Sequence, residues 1–177
     1  MERLRTSRRP WCGPAGHSLG ARKATLYLAD EQDARVRGLV LASPSARAGG
    51  IDGPSEHRAK ERLAQGAPDE LLPIEPAWAA SAANYLARFA AGSVNDAFAS
   101  TGNAEPLLAA VRAPVLALLG GRERAGEEEA RSELESLRGR AVRTAAFTSE
   151  VVAGADHLYA GREPDVAARV ASWMRGL

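Results

Sequence analysis

A chain of 177 residues, 45% hydrophobic and 25% charged, is long enough for one domain with a real core and has an ordinary globular composition. Its net charge of +1 supplies no global field to recruit nucleic acid or an anionic membrane, so neither is expected as a partner. The single cysteine, Cys12, excludes an internal disulfide and a cysteine-rich metal site.

Residues 1–13, "MERLRTSRRPWCG", are basic, lack periodicity and carry no apolar segment of the kind a secretory leader needs. They read as a poorly ordered terminus, and a cytoplasmic location is the default expectation. Nowhere does an apolar run approach the ~18 residues that would span a bilayer. The three histidines, His17, His57 and His157, are far apart and in no metal-binding spacing, so no metal or cofactor is expected.

From Pro14 the character changes. "PAGHSLGARKATLYLADEQDARVRGLVLASP" holds a serine between two glycines, then a helical run in which Ala24, Tyr27 and Leu28 share a face, then the apolar stretch Gly38–Ser43. A continuous apolar run bounded by charge and Pro44 predicts a strand buried on both faces. Residues 45–110 read as helices and loops. One helix is expected in "GPSEHRAKERLAQG", and a second in "EPAWAASAANYLARFA", with Pro76 in its first turn and Trp78, Ala82, Tyr85, Leu86 and Phe89 on one stripe. That aromatic stripe reads either as core packing or as a cap that lines an apolar acyl pocket with Trp78, Tyr85 and Phe89.

Residues 111–177 return to an α/β rhythm. Val115–Leu119 predicts a buried strand stopped by Gly120 and Gly121, and Glu127–Glu129 open a helix that closes on Arg138 and Arg140, matching the helix dipole. A short strand follows around Val151–Val152, then a turn. The last helix starts near Pro164 and carries Val166, Ala167, Val170, Trp173, Met174 and Leu177 on one face. Strands separated by helices point to a parallel sheet, here of about three strands.

Gly16-His17-Ser18-Leu19-Gly20 fits the G-x-S-x-G turn that lifts a serine hydroxyl above a sheet edge. Larger neighbours at minus two and plus two are expected to collide with adjacent chain. The turn would also bring the Leu19 N–H, at a helix N-terminus, beside a developing oxyanion. A nucleophilic serine needs a base, and the base an orienting acid. His157 follows the last predicted strand through "GADH", and Glu123 follows the Val115–Leu119 strand through "GGRE". Asp156 and Asp52 are more distant choices for the acid. Asp156 adjoins His157, so its side chain should point away from the imidazole and serve the turn.

The segments "GHSLGA", "RVRGLVLASP", "RAPVLALLGGRE" and "VVAGADHLYAGRE", with the order Ser18…Glu123…His157, resemble the C-terminal portion of a serine esterase or lipase-like α/β-hydrolase across roughly residues 15–177. The resemblance implies an incomplete α/β-hydrolase fold over residues 14–177, with a helical cap at about 45–110. It implies Ser18 as nucleophile, His157 as general base, Glu123 as acid and Leu19 as an oxyanion-hole donor. The small-molecule substrate would be a carboxylic ester, lactone or thioester.

The family places several strands before its nucleophile, and "RRPWCGPAG" here cannot form a central strand, because proline cannot donate to the ladder. The sequence therefore reads as an N-terminally truncated hydrolase, with Gly38–Ser43 left as an exposed apolar edge open to self-association. On that reading the alternative function is a catalytically inactive remnant acting as an interaction module.

Overall fold

The computed structural model describes residues 13–46, 53–74, 78–90, 93–99 and 105–177, with positions 73, 74 and 78 described as backbone only. The expectation of disorder for residues 1–13 falls, Gly13 apart, outside the described residues, as do Cys12, Asp52 and Pro76.

Outside a hairpin at residues 71–81, strands and helices alternate along the chain as its hydrophobic pattern predicts. Strand β1 (Ala15–His17) leads into helix α1 (Leu19–Glu31) and strand β2 (Leu39–Ala42). Helix α2 (Gly53–Ala64), strands β3 (Leu71–Ile74) and β4 (Trp78–Ser81) and helix α3 (Ala82–Arg88) follow. Two 3-10 turns (Val94–Ala97 and Leu107–Ala110) then lead back to β5 (Val115–Gly120), α4 (Glu127–Arg140), β6 (Phe147–Val152) and α5 (Glu163–Arg175).

Four strands form one all-parallel sheet in the order β1-β2-β5-β6, one strand more than expected. The extra strand corrects the expectation of an exposed edge at Gly38–Ser43. Ala15, Gly16 and His17 pair with Val40, Leu41 and Ala42, so β2 is an interior strand with Leu39 and Leu41 fully buried. The prolines that argued against a strand end at Pro14, one residue before β1. Its carbonyl still accepts from the Val40 amide at 3.1 Å, a bond for which a proline needs no N–H.

Alternation along the strands divides the core into two layers. Leu39, Leu41, Val115, Ala117 and Leu119 face Ala21 and Leu28 of α1 and Ala130, Leu134 and Leu137 of α4. Val40, Leu116, Leu118 and Val152 face the opposite way, against Val166, Val170 and Trp173 of α5. The expected apolar stripe of α5 packs there without any residue becoming fully buried. Its contact with β2 is close: a Cβ at Gly38 would lie 2.6 Å from the Trp173 ring, so glycine makes room for the indole.

One expected helix starts late. Residues 78–81 pair antiparallel with 71–74 as a hairpin, and the helix begins only at Ala82, where the Ser81 side chain accepts from the Asn84 amide at 3.3 Å. Alanine-rich "WAAS" favours helix locally, but pairing with Leu71–Ile74 satisfies its backbone first. Helices α2 and α3 and this hairpin share a small core of Ala59, Leu72, Ala82 and Tyr85.

Candidate active site

Because every strand of the main sheet runs the same way, the loops after β1, β2, β5 and β6 all emerge at one edge, the usual location of ligand sites in open parallel sheets. Those loops carry Ser18, Ser43, Glu123 and His157. Residues far apart in sequence therefore converge by topology alone.

Ser18 occupies the junction between β1 and α1 at φ 54° and ψ −117°, a conformation that costs a non-glycine residue about 1–3 kcal/mol. Its amide donates to the Ala42 carbonyl at 2.9 Å, which anchors the bend to β2. The two glycines of the motif are unequal. A Cβ at Gly16 would lie 2.3 Å from the Gly20 carbonyl oxygen, whereas one at Gly20 meets nothing within 4 Å. The expected collision thus holds at minus two and fails at plus two, where the Cβ direction leads into open space. Leu19 begins α1, in the first turn where backbone N–H groups have no intrahelical acceptor.

The imidazole of His157 lies between the two other candidates. Its Nδ1 is 2.7 Å from Glu123 Oε2, and its Nε2 is 3.1 Å from Ser18 Oγ. A carboxylate can only accept, so Nδ1–H donates to Glu123, and the Nε2 of the neutral ring is left to accept from the serine hydroxyl. The Glu123 side chain is 1% exposed and that of His157 50%, so the acid is buried behind a ring that still reaches solvent. Asp156 stays out of this line: its Oδ1 accepts from the Leu158 and Ala160 amides at 3.0 and 3.1 Å, the turn role expected of it. Those backbone donors, Ala160 foremost, hold its carboxyl below the usual range.

A second set of contacts, not foreseen from the sequence, holds Glu123 and the His157 loop. Glu123 Oε1 accepts from the Gly120 amide and from Ser43 Oγ, both at 2.7 Å. The His157 carbonyl accepts from His17 Nε2 at 2.6 Å and lies 3.1 Å from Ser43 Oγ. Tyr159 donates its hydroxyl hydrogen to the Leu118 carbonyl at 2.9 Å and accepts from the Ser43 amide at 2.9 Å, tying the ends of β2 and β5 to the histidine loop. Burial pushes the Tyr159 phenol up to about 12. Four non-glycine residues have positive φ among the described residues, and three of them, Ser18, Ser43 and Tyr159, belong to this assembly. Such strain concentrates at functional sites.

These groups open onto a pocket of about 600 Å³ lined mainly by polar side chains, among them Arg22, Arg88, Arg124 and Glu129. Two of the three aromatic positions considered for an acyl pocket, Tyr85 and Phe89, are elsewhere. Tyr85 is 1% exposed in the core shared by α2, α3 and the hairpin, and Phe89 packs against it at 5.2 Å between ring centroids. Neither lines the pocket, and the Trp78 side chain lies outside the described residues. The late start of α3 removes the helical stripe on which the grouping was based. Among the described residues no group of three or more His, Cys, Asp or Glu is arranged to hold a metal ion, and no helix is long and apolar enough to cross a membrane.

No family model matches the chain, and no curated protein does either. Solved structures do. Est1E from Butyrivibrio proteoclasticus is similar over 92% of this chain and 59% of its own, at 20% identity and a TM-score of 0.59. DcsB in complex with its substrate analogue is similar over 91% of this chain and 63% of its own, at 15% identity and a TM-score of 0.57. A carboxylesterase structure from the ammonia-oxidizing thaumarchaeon Nitrososphaera gargenis covers 93% and 64%, at 14% identity and a TM-score of 0.50. The chain shares an α/β-hydrolase-like fold with these structures. The chain spans about three fifths of the length of these structures.

Proposed function

We propose that this chain is a serine hydrolase that cleaves a carboxylic ester, lactone or thioester. The observation that carries the reading is the unbroken hydrogen-bonded line from Ser18 Oγ through His157 to Glu123. In this reading Ser18 Oγ attacks the substrate carbonyl carbon while His157 Nε2 takes the hydroxyl proton. Glu123 keeps the ring in the tautomer that can accept and stabilises the imidazolium that forms.

The tetrahedral oxyanion faces the Leu19 N–H at the positive end of α1. Collapse expels the alcohol or thiol, which leaves with the proton held by His157. Water then attacks the acyl-serine while the same ring takes one of its protons, and that proton passes to Ser18 Oγ as the carboxylic acid product leaves. The Glu123 carboxylate, with its three donors Gly120 N–H, Ser43 Oγ–H and His157 Nδ1–H, and a strained serine supply the preorganisation such a sequence needs. We further propose that the cap expected at about residues 45–110 borders the pocket, to which Ser45 and Arg88 are its contribution.

The test is hydrolysis of a short-chain 4-nitrophenyl ester by the purified chain and by folded Ser18→Ala and His157→Gln variants. Turnover that both substitutions reduce by about 10³-fold or more supports the reading. Turnover that survives Ser18→Ala refutes it.

A further inference from the structure

We propose that His17 is a positioning residue for the reaction: it holds the base at the nucleophile by donating its Nε2–H to the backbone carbonyl of His157. This deepens the hydrolase reading and rests on it. The G-x-S-x-G pattern leaves position 17 open and calls for no donor there. In β1, His17 pairs in register with Ala42, and register partners carry their side chains on one face of a sheet. Ala42 packs with Tyr159 in the layer under α5. The His17 ring accordingly lies 6.1 Å from the Tyr159 ring and 4.9 Å from that of His157.

A carbonyl can only accept, so the 2.6 Å contact requires a proton on Nε2 of His17. Ser43 Oγ lies 3.1 Å from the same carbonyl, but its one hydrogen serves Glu123 Oε1 at 2.7 Å. His17 is therefore the donor to that carbonyl, and its presence leaves the Ser43 hydrogen to Glu123. The loop is also fixed on either side. The Ala155 carbonyl accepts from the Arg122 amide at 2.8 Å, and the Tyr159 hydroxyl reaches the Leu118 carbonyl. Between these two anchors, the bond from His17 holds residue 157 itself.

His17 and Ser18 are consecutive, and both are anchored to β2, the first by strand pairing and the second through its amide on the Ala42 carbonyl. A bond from residue 17 to the main chain of residue 157 thus sets the separation of nucleophile and base. It does so independently of Glu123, which orients the ring from behind. The His157 side chain is half exposed, so it has solvent to swing into once its main chain is released.

The experiment measures kcat and KM for a short-chain 4-nitrophenyl ester in folded His17→Phe and His17→Gln proteins. Phenylalanine keeps a ring against Tyr159 and drops the N–H, whereas glutamine carries an amide N–H to a similar reach. Each kcat is taken per serine that reacts with a fluorophosphonate, so unfolded protein is not counted. His17→Phe should lower kcat by about 5–10-fold with KM nearly unchanged, the range that one neutral hydrogen bond supports, and His17→Gln should recover most of the loss. An unchanged kcat per site, or a loss that His17→Gln shares in full, overturns the proposal while leaving the hydrolase reading intact.

Imidazole nitrogen chemical shifts give a reading that needs no turnover. The native His157 ring should carry its proton on Nδ1, towards Glu123. His17→Phe should reduce the share of that tautomer, and His17→Gln should restore it. The same His157 tautomer in all three proteins overturns the positioning role whatever the fate of the hydrolase reading. Because His17 is exposed, both substitutions are compatible with the fold.

Discussion

Gly16 and Gly20 flank the same serine, yet alanine at the two positions should move stability in opposite directions. At Gly16 the new Cβ would lie 2.3, 2.4 and 2.5 Å from the Gly20 oxygen, the Gly20 carbon and the Ala21 nitrogen, all backbone atoms of α1. Ordinary carbon contacts need roughly 1 Å more, so β1 and α1 must move apart. Because β1 pairs over only three residues, that movement loosens the strand and the bend at Ser18 together. Overpacking a tight core costs ~1–3 kcal/mol, and a clash with backbone belongs at the upper end. At Gly20 the Cβ meets nothing, and alanine in place of glycine early in a 13-residue helix should stabilise by ~0.5–1 kcal/mol.

Thermal unfolding followed by far-ultraviolet circular dichroism measures both. A domain of this size should lose roughly 6–12 °C of Tm in Gly16→Ala and gain roughly 1–4 °C in Gly20→Ala. Equal stability of the two variants, or a destabilised Gly20→Ala beside a tolerated Gly16→Ala, would refute the steric reading of the bend.

Other consequences follow from the contacts around His157. Glu123→Gln removes the charge behind the imidazole and should lower kcat for ester hydrolysis by about 10³–10⁴-fold in steady-state assays; a loss under tenfold would separate Glu123 from the chemistry. Ser43→Ala removes one of the donors to Glu123, a bond of the charge-assisted class that contributes about 1.5–3 kcal/mol. Acting through Glu123, it should lower kcat with little change in KM, whereas a raised KM alone would assign Ser43 to substrate binding. Tyr159 has a folded pKa of about 12 against ~10 when unfolded, so the folded state retains a proton that the unfolded chain loses in that window. Its contribution is complete below pH 10 and declines by about 3 kcal/mol as pH rises through 12. Tyr159→Phe should lack that decline in urea unfolding at pH 9 and 11.5; parallel losses in both proteins would contradict it.

What the sequence made legible was what depends on local pattern. Val115–Leu119 and Gly38–Ser43 are unbroken apolar runs, and both form interior strands within a residue or so of their expected ends. That Ser18, Glu123 and His157 lie close together was readable because a parallel sheet delivers every strand's C-terminal loop to one edge, so position after a strand already implies proximity. The hairpin at Leu71–Ile74 and Trp78–Ser81 was hidden, since "WAAS" has helical composition and its strand state comes from a partner. The pairing of β1 was hidden by its length of three residues beside Pro14. Ser43 and Tyr159 carry no motif, and their roles arise from positive φ and long-range hydrogen bonds.

The central claim is that His157, backed by Glu123, activates Ser18 as a nucleophile. Reaction of the folded protein with a fluorophosphonate, followed by peptide mass mapping, addresses it directly. The account predicts one phosphonylated serine, Ser18, with labelling slowed at least a hundredfold in His157→Gln. A folded protein that takes up no label, or takes it on another serine, would contradict it.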